Sequence, residues 1–221
     1  MSVGSYTKLS ADGGMITLQP SAVHIQALQD LAKVLPKAAA NAQRRAINKT
    51  LGWLMTRIAR AVGSQERIAI SAVRQRLRSY PVAGGGMSGK LWFGINAIEA
   101  RRIGPPRKTG QGVSVKGRRY RGAFLGKVYG SKEDIWIRTA SKHFSADDYP
   151  DSELTSARGP RSGWIAEHSD RHPLAKAKVS LEQTRPHFDH WVKQADQQLL
   201  VVLRQELNFE MQKYLKGNAR V

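Results

Sequence analysis

Hydrophobic positions in the first third of the chain recur at helical spacing. Ile47, Leu51, Leu54, Ile58 and Val62 fall within a stripe of about 80° when projected at ~100° per residue. The stripe predicts a core-facing helix over 36–62, opened by Pro36, which a first turn tolerates, and closed at Gly63 and Ser64. Before it, 15–18 alternates as a short strand, and Val23, Ala27, Leu28, Leu31 and Leu35 predict a helix that Pro20 and Ser21 open. After it come a short helix through Val73 and Leu77, strands at 90–95 and 135–139, and a strand-like alternation at 174–179. Phe188, Trp191, Val192, Ala195, Leu199, Val202 and Leu203 stripe a final helix from Pro186 to about Leu215. Glu206 then falls on the centre of that stripe, which predicts that the helix leaves the core there or meets a second partner. The sum is an α+β fold: N-terminal helices and a long C-terminal helix packed on a mainly antiparallel sheet. Residues 15–221 are expected to form one domain, preceded by a flexible arm at 1–14.

The polar positions are distributed unevenly. Residues 101–132 hold ten basic side chains and no acid, with Gly and Pro where the backbone must turn. The alternation Val113, Ser114, Val115, Lys116 predicts an outgoing strand and 120–129 its return. This makes a protruding basic hairpin; a solvated loop is the alternative. Residues 143–173 instead gather acids, including Asp147, Asp148, Asp151 and Glu153, and are expected to form a long inserted loop. In the 36–62 helix the side opposite the apolar stripe carries Arg45, Lys49 and Arg60, with Trp53 beside them. Trp53 admits stacking on a base or packing on a second protein surface. We take the second, and expect the acidic loop of one subunit to meet the Arg45, Lys49 and Arg60 face of its neighbour.

Composition sharpens this picture. Lys and Arg number 36 against 17 Asp and Glu, a formal charge of +19 over 221 residues, which points to a polyanionic partner. With no cysteine, disulfides, thiolate catalysis and thiolate zinc sites are excluded. No apolar run suits a membrane span and the first residues are not signal-like, so the expectation is an intracellular chain with no membrane partner.

Candidate chemistry is thin. GGGMSGKL at 84–91 matches the phosphate-binding loop G-x-x-x-x-G-K-[ST] except at its eighth position, where Leu91 replaces the hydroxyl and opens a strand rather than a helix. His168 and His172 stand four apart, but Pro173 opposes a helix there, and His187 and His190 have no third ligand nearby. The acids at 147–153 lack calcium-loop spacing. No serine elbow occurs. The expectation is no catalytic residue, no metal and no cofactor.

The order of the segments carries a resemblance. An Ala-rich basic helix at 38–50 precedes the short helix at 69–77. A strand, the basic run Gly117-Arg118-Arg119-Tyr120-Arg121-Gly122-Ala123-Phe124, and the strand at 135–139 follow. Pro173-Leu174-Ala175-Lys176 and the long last helix complete the series. Over about 36–215 this resembles the minor tail protein Z family of lambda-type tailed bacteriophages and prophages; the insert at 143–173 and the N-terminal extension depart from its pattern. The resemblance implies a non-enzymatic virion protein acting in tail completion near the head-tail junction, made in the host cytoplasm and residing in the virion tail. The expected partners are copies of itself in a ring, other tail or neck proteins, and genomic double-stranded DNA. Lys116, Arg118, Arg119 and Arg121 are the candidate DNA contacts. A host-type basic DNA- or RNA-binding protein is the alternative.

Overall fold

The computed structural model describes residues 4–7, 13–20, 22–84, 86–128, 131–150 and 174–217. In chain order the elements are β1 (Gly4–Thr7), β2 (Gly13–Leu18), α1 (Ala22–Val34), α2 (Pro36–Gln65), α3 (Ile70–Arg74), β3 (Leu77–Tyr80) and β4 (Gly89–Gly94). Next are β5 (Ile98–Glu99), α4 (Ala100–Ile103), β6 (Pro106–Thr109), β7 (Gly112–Val115), β8 (Arg118–Arg121), β9 (Phe124–Gly126) and β10 (Asp134–Arg138). After β11 (Leu174–Lys176) and β12 (Lys178–Val179), α5 (Arg185–Lys193) and α6 (Ala195–Leu215) close the chain. The α+β class expected from the segregated periodicities is the one observed, with every strand pair antiparallel.

The chain forms two compact units. The first comprises Met1–Ala61, Arg74–Gly94 and Arg185–Val221. Its sheet has the order β1-β2-β4-β3. Residues 4–7, expected in a flexible arm, instead pair with β2 from Gly4↔Leu18 to Thr7↔Met15. Period-two alternation places Ile16, Leu18, Leu91, Phe93 and Leu77 in the core, as the register Ile16↔Leu91 and Leu77↔Phe93 requires. Leu77 therefore opens β3 rather than closing a helix. A Cβ added to Gly89 would lie 2.8 Å from both Ile47 Cγ2 and Leu51 Cδ1, so this glycine lets β4 lie against α2. That close approach accounts for the last glycine of GGGMSGKL, which begins a strand and not a phosphate-holding helix. The α2 stripe is buried throughout. Phe93 and Phe188 stack at 5.4 Å between ring centres, joining the sheet to α5.

The second unit comprises Val62–Val73 and Ile95–Thr184. One continuous sheet is not what forms here: its strands make three small sheets, ordered β6-β7-β8, β11-β10-β9 and β12-β5. Ala177 is the switch point. Its N–H donates to Ile135 O and its carbonyl accepts from Ala100 N, each at 2.9 Å, so the alternating run at 174–179 serves two sheets in turn. Lys176 stands beside this switch, 3.1 Å from Glu99 and 3.0 Å from Asp134, with its ammonium over the Trp136 ring. The expected return strand at 120–129 is also divided, because β8 ends at Arg121 and β9 leaves to pair with β10.

Candidate functional site

The basic segment folds as a three-stranded meander rather than a two-stranded hairpin. Lys116 and Gly117 link β7 to β8 with φ values of +49° and +85°. Positive φ at both central residues is the signature of a type I′ turn, whose twist suits two adjacent strands. With the turn set, alternation assigns each side chain a face. Val113, Val115 and Tyr120 are buried. The opposite face is set by the register: Arg107↔Ser114 and Ser114↔Arg119 form one cross-strand row, Thr109↔Gly112 and Gly112↔Arg121 the next. Arg107, Thr109, Ser114, Arg119 and Arg121 line a depression of about 450 Å³. The three arginines are exposed. Among the described residues none of them makes an ion pair.

Beneath the meander the environment is different. Tyr120 meets Tyr149 edge to face at 6.3 Å, and Phe144 stacks on Tyr149 at 5.4 Å. Burial pushes the Tyr120 phenol well above its ordinary range. Arg118 shares this inward face, and its Nη2 donates to Glu66 O at 3.0 Å and to Glu66 Oε2 at 3.3 Å. Burial, and then the charge of Asp147, raise the Asp148 carboxyl, with Arg118 opposing them.

Of the four predicted DNA contacts, therefore, only Arg119 and Arg121 share the open face. Arg118 is turned inward to Glu66. Lys116 forms the turn and lays its stem over Gly104, where an added Cβ would meet Lys116 Cγ at 2.6 Å. Arg107 and Ser114, absent from the sequence-based set, complete the face. Their signal was the short turn Gly110-Gln111 after Arg107-Lys108-Thr109, which makes β6 a partner for β7.

The predicted interface residues also acquire specific surroundings. Glu206 and Glu210 of α6 are buried, at 4 % and 3 % exposure. Arg45 of α2 donates from Nε to Glu206 and from Nη2 to Glu210, each at 2.5 Å, and Lys49 also pairs with Glu206. Burial alone would raise the Glu206 carboxyl, but hydrogen bonds from Lys49 and Arg45 outweigh it and leave it below the ordinary range. The Arg45 and Lys49 face, expected to await a neighbour's acids, is thus met from within the same chain. Glu206 therefore stays in the core, paired within its own chain.

Trp53 packs edge to face on Trp191 at 5.6 Å, and Arg57 covers both rings. Arg60 is exposed. Asp147 is exposed and Asp148 half-buried. Asp151, Glu153, His168 and His172 lie outside the described residues. His190 packs on Trp191 at 5.1 Å and lies within hydrogen-bond distance of Gln194. Among the described residues no group of three or more His, Asp or Glu is placed to hold a metal, and no helix is long and apolar enough to cross a membrane. In comparisons with known proteins, no family model matches the chain, and no curated protein or solved structure matches it.

Proposed function

We propose that the protein is a structural component of a bacteriophage tail, of the minor tail protein Z type, which assembles with its own copies and with tail or neck proteins and touches genomic DNA without base specificity. One observation carries the DNA contact: three exposed arginines on the open face of the β6-β7-β8 meander in a chain of net charge +19. The order of helices and strands, which resembles that family, carries the placement in a tail. A role of this kind is assembly and contact rather than catalysis, and we assign it no cofactor.

The test is the state of the full-length chain after nuclease treatment, measured by light scattering at high salt, together with its position in an imaged particle. A defined oligomer that persists without nucleic acid, and a labelled chain at the head-proximal end of the tail, are expected. A monomer or dimer found in no particle, bound tightly and salt-sensitively to nucleic acid, would establish the host-type DNA- or RNA-binding alternative instead.

A further inference from the structure

We infer that the outer face of the β6-β7-β8 meander is a phosphate-backbone site for double-stranded nucleic acid, in which Arg107, Arg119 and Arg121 act together and Arg118 takes no part. This rests on the polyanion contact proposed above and assigns it to particular side chains. The register sets the spacing. Arg107 and Arg119 lie across two inter-strand gaps of about 4.8 Å each, and Arg121 stands two residues of about 3.4 Å beyond Arg119. Long guanidinium side chains at such separations can reach neighbouring phosphates of one backbone. The hydroxyls of Ser114 and Thr109 stand in the same rows as further donors.

What the face lacks selects the ligand. Its aromatic ring, Tyr120, is buried on the other side, so no platform is offered to unstacked bases of a single strand. Nor does the row carry an exposed aromatic or aliphatic anchor of the kind that dominates protein interfaces. Cations and hydroxyl donors on a shallow surface match the backbone of a duplex, which requires charge and no stacking. Arg118 is excluded by its bonds to Glu66.

The experiment measures binding of the full chain to two duplex DNAs of equal length and unrelated sequence, over a range of salt. Three variants are compared: Arg107, Arg119 and Arg121 all changed to Ala; the same three changed to Lys; and Arg74, Arg78 and Lys90, exposed and remote in sequence, changed to Ala. Three phosphate contacts contribute about −2.7 to the slope of log affinity against log salt, at ~0.9 each. Between 50 and 200 mM salt the unmodified chain should therefore weaken about 40-fold more than the Ala triple of the meander, on both duplexes alike. The Lys triple should keep the slope, since a point charge still displaces a counterion, and it separates lost contact from lost folding.

Equal flattening by the control triple would overturn the inference, because charge would then be diffuse. An unchanged slope with loss of the oligomer would make the face a subunit interface, and a strong preference for one duplex would make it a base reader. If the slope behaves as expected while the chain is absent from tails, the site stands and the tail reading falls.

Discussion

Glu206, on the apolar stripe of α6, is buried and paired with Arg45 and Lys49 of α2. Glu206→Gln removes the charge that organises both cations and is expected to cost about 2 kcal/mol at neutral pH, read from denaturant unfolding. The lowered folded-state pKa sets the sign with pH. The folded chain binds fewer protons at this site than the unfolded chain, so the contribution is complete above the ordinary value of 4.5 and is lost as pH falls through the lowered folded value. The gap between parent and variant should therefore close in acid; a gap constant down to strongly acid pH would show that Glu206 is not the paired carboxylate. Gly117 acts through backbone conformation instead. Its φ of +85° costs a residue with a Cβ about 1–2 kcal/mol, while an added Cβ would meet only Arg67 Nη1 at 3.4 Å. Gly117→Ala should lower stability by about that amount through conformation rather than collision, as thermal unfolding would record.

At the scale of elements, α2 was the most legible part of the chain. Its stripe is local and periodic, so five buried positions declared one face before any partner was known. Ile58, fully buried, is expected to cost roughly 2–5 kcal/mol on replacement by Ala. The other face was harder to assign, since spacing alone does not say what Trp53 touches. It touches Trp191 of α5, so Trp53→Ala should weaken folding rather than association alone, and a double-mutant cycle with Trp191→Ala should show coupling of about 1 kcal/mol. If Trp53→Ala left unfolding unchanged and reduced only the oligomer, the intersubunit reading would return. The meander was half legible: alternation marked β7, but β6 became a strand only through its register with β7, and β8 was cut short when β9 turned to β10.

For the whole molecule the governing quantity is charge. Thirty-six Lys and Arg against 17 Asp and Glu leave a self-repelling chain. Salt screens such repulsion beyond a Debye length of about 8 Å at physiological ionic strength, whereas the buried Glu206 and Glu210 pairs are screened much less. The unfolding temperature is therefore expected to rise as NaCl is added from low to moderate concentration, measured by differential scanning fluorimetry on nucleic-acid-free protein. A steady fall would mean that local pairing, not repulsion, dominates the balance.

Local pattern in the sequence determined the α+β class, the apolar face of α2, the strands β2, β4, β7 and β10, and the excess of positive charge, because each depends on residue type or on neighbours a few positions away. Tertiary structure alone decided which charges stay available. Arg45 meets Glu206 and Glu210 across 161 and 165 residues, and Arg118 meets Glu66 across 52. Arg107, twelve residues from Arg119 in sequence, shares a row with it through Ser114. Ion pairs form within about 4 Å, a distance set by helix packing and strand register. Composition counts charges, but only those geometries tell a neutralised arginine from one left facing outward.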